Sequence, residues 1–379
     1  MSQVVDRQKV VEFLKKGSEA YLNKRFEDAI GFFDKAIELD KNDKDAYNGK
    51  GITLLNLNKF EDAIECYDKA LKIDPDYDKV LFNKGVALAT VEKHQEAIEC
   101  FDRGLRKDPN NKLALNQKGC TLFFLKRYQE AIEYCDKSLR IDPNYTFALD
   151  IKGRVLNELG RYKEAIDCFD RALILDPEDK EVLYNKGLTL SFMNKFDDAL
   201  VYYDRALRID ADYKEALNGK GMILLNRNKR AEANELIDKA LKIDPNFEKA
   251  LFNKGLALAF ENKFQEAIEF FDKALKVEAD NKKTLTNKGL ALTDLKKYEE
   301  AIECFDKALK SDPAYKIALN GKANALFYLK RYKDALEYYE KVLVIDPNFA
   351  LAKSNRDKLQ AILQRAAAQQ QQQQQQQQQ

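Results

Sequence analysis

The chain has 379 residues, 34% of them charged, with 64 Lys and Arg against 63 Asp and Glu for a formal net charge of +1. That balance excludes the one-signed field expected of a protein that coats nucleic acid or an anionic membrane, and no stretch is apolar enough to read as a signal peptide or a bilayer span. One histidine, no tryptophan and six cysteines without a CxxC pair leave no His-based metal cluster and little room for a Ser/His or Cys/His pair, so no cofactor, metal or catalysis is expected.

Residues 1–9 read as a short polar lead-in. From Val10 onward the pattern repeats every 34 residues without insertion or deletion, with starts at Val10, Lys44, Asp78, Lys112, Thr146, Lys180, Lys214, Glu248, Lys282 and Lys316 and an end at Phe349. A fixed period of this size marks a stacked array in which each unit buries its apolar face on its neighbours. Positions within a repeat are called slots, slot 1 being the first residue; Lys44–Tyr77 serves as the example.

Each repeat predicts two amphipathic helices. Tyr47, Gly51 and Leu54 (slots 4, 8 and 11) make the stripe of helix A, and Ala63, Ile64, Tyr67, Ala70 and Leu71 that of helix B. An aromatic usually opens helix B at slot 17, as Phe60 does. All seven prolines fall at slot 32, where proline ends helix B. Slot 8 is glycine in nine repeats and Ala323 in the tenth, and slot 20 is alanine throughout. A mid-helix glycine costs about 0.5–1 kcal/mol relative to alanine. Its recurrence is read as a close approach of the two helix backbones.

The pattern of slots 8, 11, 20, 24, 27 and 32 resembles the tetratricopeptide repeat over residues 10–349. The resemblance implies an all-α fold, a right-handed superhelical solenoid of antiparallel helix pairs. Two features depart from the usual pattern. Slot 4 is mostly leucine rather than tryptophan, and slot 7 is lysine in every repeat, from Lys16 to Lys322. An acidic column accompanies it at slot 25, from Asp34 to Glu340. Either each lysine packs its stem between helices and reaches a carboxylate at slot 25 or in the slot-31 turn, or it is solvated at the helix edge.

The resemblance also implies that slots 2, 5, 6, 9, 12 and 13 of helix A face a concave groove, where a non-catalytic scaffold or adaptor holds an extended or helical protein segment. Asparagine fills slot 5 at Asn48, Asn116, Asn218 and Asn320, and slot 6 at Asn83, Asn185, Asn253 and Asn287. Such amides either grip a peptide backbone, as in the asparagine ladder that this row resembles in the repeat region of O-linked N-acetylglucosamine transferase, or close onto their own helix. Apolar groove candidates are Phe82, Tyr184 and Phe252 at slot 5 and Phe124, Phe192, Phe260 and Tyr328 at slot 13. The clamp that co-chaperones of this family use for EEVD-type tails resembles lysine at slot 5, which never occurs here, so that partner is not expected. Nucleic acid and membranes are not expected partners either. The alternative function is a substrate-recruiting repeat region of an enzyme or larger complex whose catalytic part lies elsewhere.

His94 stands at slot 17 and reads as a packed aromatic substitute. Cys66, Cys100, Cys168 and Cys304 share slot 23 and read as small buried residues of a reducing compartment, the cytoplasm. The Gly-Lys pairs at 49–50, 219–220 and 321–322 lack the glycine, the Ser/Thr and the strand of a phosphate loop. The seventh repeat departs most, with Arg230 at slot 17 and Asn234 at slot 21, which predicts weaker packing there. After Phe349, residues 350–368 read as a capping helix and Gln369–Gln379 as a disordered tract, since glutamine buries no apolar surface.

Overall fold

The computed structural model describes residues 6–377. The described residues form helices joined by short turns, in two compact units, residues 1–199 and 200–379. The first unit contains α1 (Arg7–Leu22), α2 (Phe26–Leu39), α3 (Lys44–Asn56), α4 (Phe60–Ile73), α5 (Asp78–Thr90), α6 (His94–Lys107), α7 (Lys112–Phe124), α8 (Tyr128–Ile141), α9 (Thr146–Glu158), α10 (Tyr162–Leu175) and α11 (Lys180–Phe192). The boundary falls within α12 (Phe196–Ile209). The second unit continues with α13 (Lys214–Asn226), α14 (Arg230–Ile243), α15 (Glu248–Phe260), α16 (Phe264–Val277), α17 (Lys282–Asp294), α18 (Tyr298–Ser311), α19 (Lys316–Tyr328), α20 (Tyr332–Ile345) and α21 (Ala350–Gln377).

The turn between the helices of a pair is set by one residue. Slot 15 adopts a left-handed backbone at Lys24, Asn58, Glu92, Lys126, Asn194, Asn228, Asn262, Lys296 and Lys330, with φ of 57–61°, and at Gly160 with φ 71°. This lets the next amide close the helix end, as when Lys59 N donates to Leu54 O at 2.9 Å. Helix B ends at slot 30 and an aspartate follows in nine repeats, Glu278 in the eighth. Asp74 accepts the Asp76 amide through Oδ1 at 3.2 Å and the Lys44 ammonium through Oδ2 at 2.5 Å, and Lys44 also lies 4.6 Å from the Tyr77 ring centre. One lysine therefore ties the start of helix A to the end of its own repeat.

Inside, the slot-20 alanines from Ala29 to Ala335 are wholly buried, and the slot-24 rings Tyr67, Phe101, Phe169, Phe271 and Phe305 fill the space between helices. These rings are one reason that slot 8 must be small. A Cβ on Gly51 would lie 2.5 Å from Tyr67 Cε1, and one on Gly85 would lie 2.5 Å from Phe101 Cε1. Where slot 24 is not aromatic the partner backbone is among the nearest atoms, with Ala131 O at 3.3 Å from a Cβ on Gly119 and Ala233 O at 3.4 Å from one on Gly221. The expected approach of the helix backbones is seen at Gly119 and Gly221, and the slot-24 rings add a second reason for the small residue.

Two expectations meet a different structure, and a third is met. Helix α1 begins at Arg7, capped by Asp6, so Arg7–Lys9 belong to it; residues 1–5 lie outside the described residues. Helix α21 does not stop at 368 but continues through the glutamines to Gln377, with 378–379 outside the described residues. Glutamine is a fair helix former and no glycine or proline interrupts the run, so a helix already anchored by the buried Ala352 and Leu359 propagates into it. In the seventh repeat the expected weaker packing is seen where α14 meets α15, the sparsest junction between a B helix and the next A helix among those described; there Asn234 donates to Glu261 at 3.1 Å and accepts from Lys254 at 3.0 Å.

Candidate functional site

The candidate face is formed by slots 2, 5, 6, 9, 12 and 13 of successive A helices, and several of its amides are engaged between repeats. Asn83 Nδ2 donates to Asn48 Oδ1 at 3.1 Å, and Asn253 Nδ2 donates to Asn218 Oδ1 at 2.8 Å. Asn185 Nδ2 makes the same link to Asp150 Oδ1 at 2.8 Å. In each case slot 6 of one repeat donates to slot 5 of the repeat before. Where that slot 5 is apolar the amide turns inward: Asn287 follows Phe252 and donates to its own helix at Lys283 O, 2.9 Å away. Asn116, Asn218, Asn253 and Asn320 are buried, and Oδ1 of Asn116 and of Asn320 lacks a protein partner. The amide row is thus mainly a set of ties between repeats, with Asn48, Asn83, Asn185 and Asn287 only partly covered.

The aromatic candidates divide in two. Phe82 and Phe252 are half-buried, each against the slot-24 ring of its own repeat, with centroid distances of 6.2 Å to Phe101 and 6.0 Å to Phe271. Tyr184 is half-buried as well. Phe124, Phe192, Phe260 and Tyr328 are each about half exposed. Three of these lie flat on the slot-17 ring of the preceding repeat: Phe124 on His94 at 5.5 Å, Phe192 on Tyr162 at 5.8 Å and Tyr328 on Tyr298 at 5.2 Å. His94 is therefore the lower plate of a stack, with Nδ1 buried and without a protein partner. For Phe260 the preceding slot 17 is Arg230, so no ring stands there to match.

The structure brings some of these residues together. In the first unit a depression of about 260 Å³ is lined by Asn48, Ile52, Phe82, Asn83, Asp78, Lys79, Asn111 and Leu113, side chains of three successive repeats. In the second, a depression of about 240 Å³ at the C-terminal end gathers Tyr328 with Asn324, Phe327, Tyr339, Asn355 and Lys358. Two features of the face were not singled out from sequence. Leu113 and Phe147, both at slot 2, are 45% and 66% exposed; their apolar character at a groove slot was the available signal. Asp150 is largely covered, with Arg154 at 3.8 Å, and burial pushes its carboxyl up to about 6, against the opposing pull of Arg154 and of the Asn185 hydrogen bond.

The helix pairs, the recurring ring-and-glycine contact and the inter-repeat ties define a tandem helical-repeat protein. The chain belongs to the tetratricopeptide repeat family: profiles described as tetratricopeptide repeat match residues 45–77, 78–111, 113–145, 145–212, 184–248 and 286–348. A profile described as anaphase-promoting complex, cyclosome, subunit 3 matches 226–308. No curated protein matches the chain. Among solved structures, a tetratricopeptide repeat protein from Parabacteroides merdae is similar at TM-score 0.58 and 17% identity, covering 66% of this chain and 99% of that one. The Cut9–Hcn1 hetero-tetramer of the APC/C is similar at TM-score 0.55 and 14% identity, covering 91% and 95%. YrrB, described as a tetratricopeptide repeat protein with an unusual peptide-binding site, is 29% identical over 50% of this chain and 97% of its own, with TM-score 0.41. No helix among the described residues is long and apolar enough to cross a membrane.

Proposed function

We propose that this protein is a non-catalytic interaction scaffold that holds a protein segment on the A-helix face of its repeats. The coarser part, a protein-interaction scaffold, follows from the family. The finer part rests on one observation, the depression in which Asn48, Phe82, Asn83 and Leu113 of consecutive repeats converge. It pairs amides that satisfy a peptide backbone with apolar walls that seat side chains. Its charges, Asp78 and Lys79, are of opposite sign, so a neutral or mixed segment fits it.

The test is selection of binders from a library of extended peptides, followed by titration against the Phe82→Ala/Asn83→Ala double variant. Affinity is expected to fall by about tenfold or more, or about 1.4 kcal/mol, with the helical circular dichroism unchanged. Equal affinity of every selected peptide for the variant removes the groove reading. A second reading, a repeat region that recruits substrates within a larger complex whose catalytic part lies elsewhere, is favoured by the match of residues 226–308 to the anaphase-promoting complex subunit 3 profile. It predicts that the native protein sediments as part of a stable multiprotein assembly.

A further inference from the structure

In the second unit, the B helices end in an edge with its own chemistry. The last turns of α12, α14, α16 and α18 carry Arg208, Lys242, Lys276 and Lys310, all at slot 29. All four are exposed, and none has an ion-pair partner among the described residues. By contrast, lysines at slots 1 and 7 of the same unit are held on carboxylates, as Lys214 is on Asp244 at 2.5 Å and Lys254 on Asp238 at 2.8 Å. Beside the first three cations stand Ile209, Ile243 and Val277, 41–51% exposed. At the end of the row Val344 replaces the cation and is 83% exposed, with Ile345 next to it.

A basic last turn ordinarily complements the negative end of a helix dipole. That does not account for this row. Helix α20 has no basic residue in its last turn, yet it has 14 residues like α18 and ends on an aspartate in the same way. The cations are therefore not needed to form or end these helices, and the aliphatic residues beside them remain half uncovered.

We propose that this edge docks an acidic protein segment with interspersed aliphatic residues. Its carboxylates face Arg208, Lys242, Lys276 and Lys310, and an apolar side chain rests on Val344 and Ile345. Charge complementarity selects an acidic partner and excludes a basic one. The aliphatic neighbours select protein over nucleic acid, because slots 29 and 30 offer no aromatic ring on which a base would stack. The edge lies on B helices, so it is independent of the A-helix groove.

The experiment titrates the full chain with a fluorescein-labelled peptide of repeating Glu-Leu-Glu-Glu, its Gln-Leu-Gln-Gln counterpart and a single-stranded DNA. The acidic peptide is expected to bind, and more weakly as salt rises. Lys242→Glu with Lys276→Glu is expected to lower its affinity by about tenfold or more, and Val344→Asp to lower it as well. Met222→Ala, at an exposed position of helix α13, is expected to leave it unchanged. Lys242→Gln with Lys276→Gln, checked for unchanged helicity, gives a milder loss and separates charge from folding. The proposal is overturned if the acidic peptide does not bind, if the glutamine peptide binds equally well, if DNA binds in preference, or if charge reversal has no effect.

Discussion

The Lys50 ammonium donates to Asp34 Oδ1 at 2.6 Å, across the junction between the first and second repeats. The same contact recurs from each repeat to the one before it. Lys84 meets Asp68, Lys118 Asp102, Lys152 Asp136, Lys186 Asp170, Lys220 Asp204, Lys254 Asp238, Lys288 Asp272 and Lys322 Asp306. Of the two expectations for the slot-7 lysine, the paired one holds at all these junctions, always with slot 25. The Gly-Lys pairs gain a structural meaning here. A Cβ on Gly49 would lie 2.5 Å from Phe33, next to Asp34, so glycine admits the ring while the lysine takes the carboxylate.

The two partners of such a pair are not equivalent, and this yields a directional prediction. The Lys118 side chain is 8% exposed and that of Asp102 is 42% exposed. Burial pulls the Lys118 pKa down, but hydrogen bonds with Asp102 and Tyr134 more than offset it, leaving it above its ordinary value. Asp102→Ala strands a covered charge and is expected to cost about 1–3 kcal/mol. Lys118→Met leaves a carboxylate that water already reaches and keeps an apolar stem in place, so its cost is expected to be smaller. Chemical denaturation of both variants checks the order; the reverse order removes the argument.

Glycines at different slots are expected to respond oppositely to the same change. At Gly51 a new Cβ meets the Tyr67 ring, so Gly51→Ala should destabilise by about 1–3 kcal/mol despite its better helix propensity. Gly31 lies mid-helix in α2 with nothing within 4 Å of a new Cβ, so Gly31→Ala should stabilise by about 0.5–1 kcal/mol. Combining Gly51→Ala with Tyr67→Leu should cost less than the sum of the two single changes, which a double-mutant cycle measures.

The helix pairs were legible from sequence because period, proline and small residues coincide at fixed slots. The contacts between slots were less so. That slot 8 faces a ring, or that a slot-6 amide reaches slot 5 of the previous repeat, depends on the stagger of neighbouring helices, which no linear spacing encodes. The asparagines are legible as a row, but that slot-6 amides at half-buried or buried depth tie successive repeats together is not. Asp150 escaped notice because an aspartate among asparagines looks ordinary until its burial is known. The exposed Leu113 and Phe147 were readable as apolar residues at a groove slot.

The left-handed turn residue offers a clean stability test. Glu92 holds φ at 61°, which costs a residue with a Cβ about 1–2 kcal/mol. Glycine has no such penalty, although it loses more freedom on folding, so Glu92→Gly should stabilise by about 0.5–1 kcal/mol. At the equivalent slot, Gly160 has φ 71°, and Gly160→Ala should destabilise by a similar amount. Thermal melts of the two variants should move in opposite directions. A shared direction would mean that the backbone angle does not govern these turns.

Asp150 should give the first unit a local pH dependence. Its carboxyl is pushed up to about 6 by burial, above the ordinary 3.8. The folded state therefore holds the proton more tightly than the unfolded chain does. The resulting stabilisation is fully present below about pH 4 and is lost as pH rises through about 6, a span worth on the order of 2–3 kcal/mol. Asp150→Asn cannot ionise and keeps an oxygen to accept from Asn185, which now donates at 2.8 Å. It gives up only the 3.8 Å attraction to Arg154. The variant is expected to match or exceed the parent's stability at neutral pH and to lose the parent's slope between about pH 4 and 6. Amide hydrogen exchange in α9 and α11, followed against pH, reports this locally. An unchanged slope in the variant would assign the pH dependence to other groups.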